Sequence, residues 1–80
     1  MTNLEKYIGV FTKLFEVSEE EAKQLKYQDI SAWDSVGHMT LIGELEDTFG
    51  IDMDADDIID FESFEKGMEI LSKPEYGIEF

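Results

Sequence analysis

The sequence predicts a small all-α domain, and three observations support this prediction. Apolar residues near the N-terminus recur with the roughly 3.6-residue period of a helix. The stretch from Asp34 to Gly50 begins with a good N-cap residue, contains no proline and ends on a glycine that can close a helix. No segment of convincing length alternates apolar and polar residues as a strand does.

The predicted architecture is a four-helix bundle with three longer helices, one short helix and a long first loop, in a single domain over residues 1–80. Of the 80 residues, 42% are hydrophobic and 12% aromatic, which is enough for one small core. There is no cysteine, so neither disulfides nor thiolate metal sites stabilise this core. The fold therefore depends on packing alone.

The first helix is predicted over residues 3–16, because its apolar side chains share one face. Ser18 and Glu21 then match a capping box, which opens at most a short turn that reaches toward Leu25. The polar residues 26–31 make the rest of this segment mainly a long connection.

The second helix should begin at Asp34 and end at Gly50. Its inward face carries Leu41, Ile42, Leu45 and Phe49, whereas Val36, Met39, Thr40 and Gly43 form a second row that points elsewhere. A glycine inside a helix costs about 1 kcal/mol relative to alanine, so Gly43 is expected to mark the close approach of another group.

Two shorter helices complete the prediction. Residues 54–60 allow one or two turns, with Ile58 and Ile59 turned inward, and Ser63 is the N-cap of a last helix that stops before Pro74. The tail, residues 75–80, either docks through its apolar side chains or frays. The expected core is Leu4, Ile8, Phe11, Phe15, Leu41, Ile42, Leu45, Phe49, Ile51, Ile59, Phe64, Met68 and Leu71.

The charge of the chain restricts its partners. Twenty acidic residues oppose six basic ones, all lysine, for a formal net charge of −14. Nucleic acids and anionic membranes would repel such a chain, so we expect basic partners, no nucleic acid and no stable membrane association. There is neither a long apolar run nor a signal-peptide pattern, and charge repulsion opposes self-association; we therefore expect a cytoplasmic monomer.

Ser35 is the candidate functional residue. It follows the predicted N-cap Asp34, where free backbone N–H groups and the helix dipole favour an attached or bound anion. The surrounding string Trp33-Asp34-Ser35-Val36, followed by Leu41-Ile42, Leu45-Glu46 and Phe49-Gly50-Ile51, resembles the acyl carrier protein family. In that family Asp-Ser-Leu opens the second helix and Phe-Gly-Ile closes it, and the likeness covers essentially the whole chain.

The resemblance implies that Ser35 is esterified with 4′-phosphopantetheine, taken from coenzyme A by a separate Mg²⁺-dependent phosphopantetheinyl transferase. The arm would carry acyl or aminoacyl groups as thioesters between acyl-loading and acyl-using enzymes of fatty-acid, polyketide or other specialised biosynthesis. The carrier itself would catalyse nothing. Asp34 would both cap the helix and take part in recognition by the transferase.

The same resemblance suggests a docking surface for basic patches on partner enzymes, with charges that speed association more than they tighten binding. Packing of Val36 and Met39 against the long loop is the alternative. The residues assigned to the docking surface are Val36, Met39, Gly43, Glu44, Asp47, Asp54, Asp56 and Asp57.

The chain departs from the common family pattern near the serine. Trp33 precedes Asp34, Val36 replaces leucine, and Gly37 and His38 stand where Asp and Thr are usual. These features look more like stand-alone carriers of specialised pathways. The simpler interpretation makes Trp33 a loop anchor and His38 a solvated helix residue.

Three other functions are alternatives to an acyl carrier. Asp52, Asp54 and Asp56 fit the start of an EF-hand loop, but the required glycine and final glutamate are missing, which leaves weak divalent-cation binding and no specific metal site. A hydrolase using Ser35 and His38 lacks the first glycine of the nucleophile elbow. An acidic interaction module would share the charge but need no particular serine.

Overall fold

The computed structural model describes residues 1–80 and contains five helices and no strand. The helices are α1 (Asn3–Phe15), α2 (Glu19–Lys23), α3 (Ser35–Phe49), α4 (Ala55–Asp60) and α5 (Phe64–Leu71). The all-α prediction is therefore confirmed. None of the five helices is both long enough and apolar enough to cross a membrane.

The prediction of four helices is wrong by one, because the segment after α1 forms α2. The Ser18 hydroxyl accepts from the Glu21 N–H, and the Glu21 carboxylate accepts from the Ser18 N–H, so both ends of the capping box are made. Ala22 and Leu25 are buried, and α2 packs on α1 and α5. Burial of these two apolar side chains stabilises a helix too short to form on its own.

The predicted ends of α3 and α5 are confirmed by their caps. Asp34 accepts a 2.8 Å hydrogen bond from the Gly37 N–H, and Gly50 closes α3 with a φ of 64°. Ser63 accepts a 2.9 Å hydrogen bond from the Lys66 N–H at the start of α5. These contacts satisfy backbone groups that would otherwise lack partners at the helix ends.

Aromatic rings dominate the core. Phe11 on α1 lies at its centre, with ring centroids between 5.0 and 6.0 Å from Tyr7, Phe15, Trp33 and Phe64. Trp33 thus anchors the loop between α2 and α3, as the simpler interpretation expected. The buried hydrophobic residues that the core prediction did not include are Tyr7, Ala22, Leu25, Trp33, Met53, Phe61, Ile70 and Ile78.

Ile59 is a wrong core prediction, since 77% of it is exposed. Asp57, on the opposite side of α4, bonds to Lys73 and Tyr76 and so fixes the rotation of the short helix. With that side turned inward, Ile58 is half-buried and Ile59 faces solvent.

The C-terminal tail docks on the bundle instead of fraying. Ile78 is buried and its N–H donates to the Leu71 carbonyl at 3.1 Å. The Asn3 side chain donates to the Glu79 carbonyl at 3.0 Å, and the Phe80 ring packs against Tyr7. The tail therefore closes the chain against the start of α1.

Candidate functional site

Ser35 is the first residue of α3 and is exposed. The turn around it is tightly held, because Asp34 caps the helix and the His38 N–H donates to the Asp34 carbonyl at 2.8 Å. A Cβ on Gly37 would overlap the carbonyl oxygen of Ala32. Gly37 is thus the residue that lets the preceding loop lie directly on the first turn of α3.

His38 is not the solvated helix residue that was expected. Its Nδ1 lies 2.9 Å from Trp33 Nε1, and its Nε2 lies 2.7 Å from the Ile58 carbonyl oxygen. The rings of His38 and Trp33 are stacked, with an interplanar angle of 15°. Both ring nitrogens are engaged away from Ser35, so the structure does not pair Ser35 with a histidine base.

A groove runs beside Ser35, between the α2–α3 loop and α4. Its volume is about 390 Å³, and most of its lining is apolar or aromatic. Because Ser35 lies at its edge, a group attached to the serine oxygen has this groove within reach. The lining residues are Tyr27, Ser35, His38, Met39, Ile58, Ile59, Phe61 and Glu62.

Exposed apolar side chains surround the serine. Val36 is 74% exposed, Met39 56% and Ile59 77%, and none of the three is part of the core. The exposure of Val36 and Met39 favours the docking role over packing against the long loop. Ile59 belongs with them, although sequence reasoning placed it inside the bundle. We call Val36, Met39 and Ile59 the apolar rim.

The remaining predicted docking residues on α3 lie further from Ser35. Gly43 has no atom of the chain within 4 Å of a Cβ built on it, so the close approach expected there is not made within this chain. Asp47 is exposed. Glu44 is also exposed, but it lines a second groove, against Lys6 and Lys13 of α1. Glu44 and Asp47 are three residues apart and so lie on the same side of α3.

On α4, the three aspartates assigned to docking have different positions. Asp56 is exposed, and exposed Asp54 donates its N–H to the Tyr76 hydroxyl at 2.9 Å. Asp57 is only 5% exposed and accepts from Lys73 Nζ and from the Tyr76 hydroxyl, both at 2.6 Å. Asp57 therefore holds the C-terminal segment on α4 and is not presented to a partner.

The carboxylates of Asp54, Asp57 and Glu75 form a group that we call the Asp57 cluster, and the pKa shifts in and around it have opposite signs. The hydrogen bond from Lys73, followed by that from Tyr76, lowers the pKa of Asp57, and burial followed by the bond to Asp57 raises the pKa of Tyr76 to about 12. The pKa of Glu75 is raised, first by a hydrogen bond shared with Asp54 and then by burial and by the nearby negative charges. Carboxylate oxygens of Asp54, Asp57 and Glu75 lie within 4.8 Å of one another.

The EF-hand alternative does not fit this geometry, because residues 55–60 form helix α4 where that motif needs an open loop. The carboxylates of the Asp57 cluster are instead arranged around Lys73 and Tyr76.

Comparisons with known protein families, with curated proteins and with solved structures each find no match to this chain.

Proposed function

We propose that this chain is an acyl carrier protein that bears 4′-phosphopantetheine on the Ser35 hydroxyl. The observation that supports the proposal best is the position of Ser35, exposed at the first residue of α3 and at the edge of an apolar groove. Attachment would form a phosphodiester at Ser35 Oγ and release adenosine 3′,5′-bisphosphate from coenzyme A. A separate phosphopantetheinyl transferase would catalyse this step.

The local structure suits a phosphodiester at this place. The first turn of a helix presents free backbone N–H groups and the positive end of the helix dipole, both of which stabilise an anion. The Asp34 carboxylate is occupied by the Gly37 N–H, which keeps the start of α3 rigid. The backbone that carries Ser35 is therefore fixed where the transferase would act.

The groove and the apolar rim give the arm and its cargo a surface to lie against. An arm attached to Ser35 has the groove on the α4 side and Val36 on the other side of the first turn. Because the chain contains no cysteine, the terminal thiol of the arm would provide the sulfur for a thioester. The chain would present an acyl or aminoacyl group without catalysing its chemistry.

Partner enzymes would dock on the apolar rim with basic side chains facing the surrounding acids. The net charge of −14 favours fast association with such enzymes and disfavours nucleic acids and anionic membranes. Exposed apolar residues around the serine provide contact area, while exposed acids such as Asp47 and Asp56 provide steering. A cytoplasmic monomer in a fatty-acid, polyketide or specialised pathway is part of this proposal.

The test is the intact mass of the protein after incubation with coenzyme A, Mg²⁺ and a broad-specificity phosphopantetheinyl transferase. We expect a gain of one phosphopantetheine group in the wild type and none in Ser35→Ala. Ser31→Ala is a matched control, because Ser31 is also an exposed serine before α3 and its loss should leave the gain unchanged. Circular dichroism of each variant establishes that it is folded.

A folded wild type that gains no mass with several transferases, or a gain that survives in Ser35→Ala, would contradict the carrier proposal. An acidic interaction module then becomes the better function, because the acids and the apolar rim remain available to a basic partner. Binding to such a partner would be the same in wild type and in Ser35→Ala.

A further inference from the structure

A chain of hydrogen bonds joins three parts of the molecule through one imidazole. Trp33, in the α2–α3 loop, lies 2.9 Å from His38 Nδ1, and the Ile58 carbonyl of α4 lies 2.7 Å from His38 Nε2. His38 itself belongs to α3. His38, which lines the groove beside Ser35, thus connects the α2–α3 loop to α4.

Only one protonation state of His38 satisfies both neighbours. The indole N–H of Trp33 can only donate, so Nδ1 must offer a lone pair. The Ile58 carbonyl can only accept, so Nε2 must carry a proton. The partners therefore assign the neutral imidazole with its proton on Nε2.

A protonated imidazole cannot make both contacts. The imidazolium has N–H groups at both nitrogens, so Trp33 faces a second donor, and rotating the ring does not restore an acceptor. Trp33 is fully buried, where an N–H without an acceptor is strongly disfavoured. The bond to the Ile58 carbonyl, in contrast, becomes charge-assisted and is retained.

The other polar groups around His38 do not replace the lost acceptor. Tyr27 of the loop meets the His38 ring edge-on at 5.4 Å, and Glu62, after α4, lines the same groove. Asp34 on α3 caps the Gly37 N–H, and Asp57 on α4 bonds to the C-terminal segment. The hydrogen bond that Trp33 Nε1 makes goes to His38.

We propose that His38 is a pH-sensitive latch between the α2–α3 loop and α4, beside the groove at Ser35. In the neutral state it holds the α2–α3 loop and α4 together; in the protonated state it stays bonded to α4 and separates from Trp33. Histidine is the side chain whose charge ordinarily changes between about pH 5 and 8, which is the pH range to test. Its effect on a cargo rests on the carrier function proposed above, but the latch itself does not.

The test uses the unmodified chain, so a failure of the latch is separate from a failure of phosphopantetheine attachment. The chain has one tryptophan and one histidine, which makes their NMR signals unambiguous. On lowering the pH from about 8 to 5, the Trp33 indole N–H resonance should shift together with the His38 ring protons. Amide hydrogen exchange in the α2–α3 loop, at the Gln28 and Trp33 N–H groups, should accelerate by about tenfold after correction for its intrinsic pH dependence.

Two variants serve as controls. His38→Gln keeps a donor and an acceptor but does not titrate, so its indole resonance should stay constant over the same range. Trp33→Phe keeps an aromatic ring and removes the N–H, so amide exchange in the α2–α3 loop should no longer follow the protonation of His38. Each variant is used only where circular dichroism shows native helix content.

Two results would overturn the proposal. In the first, the His38 ring protons titrate while the Trp33 resonance and amide exchange in the α2–α3 loop stay constant. In the second, His38 remains neutral down to about pH 5.

Discussion

Replacing Gly67 by alanine tests the packing of the core most directly. Gly67 lies in α5 and is buried, and a Cβ on it would overlap the Tyr7 hydroxyl and approach Phe61 Cε1 to 2.7 Å. Both rings are almost completely buried, so neither can move aside into solvent. The Tyr7 hydroxyl also donates a 2.8 Å hydrogen bond to the Phe64 carbonyl, which the added methyl group would displace.

The expected change in the free energy of unfolding for Gly67→Ala is the sum of opposing effects. Forcing a methyl group into a packed core costs about 1–3 kcal/mol, and losing the Tyr7 bond costs roughly another 1 kcal/mol. The gain in helix propensity offsets about 1 kcal/mol of this. We therefore expect the free energy of unfolding to fall by about 1–3 kcal/mol, and Tm to fall by on the order of 10 °C.

Gly43→Ala is the matched control, since the space around a Cβ on Gly43 is open. The same substitution should there raise stability by up to about 1 kcal/mol through helix propensity alone. Thermal and urea denaturation followed by far-ultraviolet circular dichroism measure both changes. If Gly67→Ala stabilises the protein as much as Gly43→Ala does, the packing of Tyr7 and Phe61 described above is wrong.

Three further predictions concern charge. Asp57→Asn should lower the free energy of unfolding by about 1 kcal/mol in denaturant titrations at neutral pH, since the Lys73 side of the pair is half-exposed. Folding lowers the pKa of Asp57, so the ionised carboxylate stabilises the fold at pH values above the ordinary carboxylate pKa. This stabilisation is lost as the pH falls through the lowered pKa. Asp57→Asn lacks the titrating group, so the free energy of unfolding of this variant should depend less on pH below about 4. Glu75→Gln should change stability in the opposite direction. The pKa of Glu75 is raised beside Asp54, which means that the ionised form of Glu75 destabilises the fold. The variant should therefore have a higher Tm than wild type at neutral pH, but not in strong acid. Added salt or millimolar Mg²⁺ should raise the Tm of the wild type, because counterions relieve the repulsion of a net charge of −14, and a Tm that stays flat across the titration would contradict this.

The features that the sequence predicts well are local ones. The ends of α1 and α3 follow from caps and apolar spacing within the segment itself, and the structure places them within a residue of the prediction. The position of Ser35 at a helix start follows from Asp34 in the same way. Such signals need no knowledge of the rest of the chain.

The features that the sequence does not predict depend on contacts between distant residues. Ile59 looks like a core residue until Asp57 bonds to Lys73 and Tyr76, sixteen and nineteen positions away, and turns α4. The glycine in α5 looks like a weak helix residue until Tyr7, from α1, is found against it. The apolar residues of a six-residue helix do not by themselves determine which of its faces is buried.

Three of the residues that depart from the acyl carrier pattern, Trp33, Gly37 and His38, form one contact set. Trp33 needs an acceptor for its buried N–H, His38 supplies it, and Gly37 leaves room for the Ala32 carbonyl that brings Trp33 to this position. Replacing His38 alone leaves the buried Trp33 N–H without its acceptor, and a side chain on Gly37 overlaps the Ala32 carbonyl. These three positions are therefore coupled structurally, and His38 and Ile58 line the groove beside Ser35.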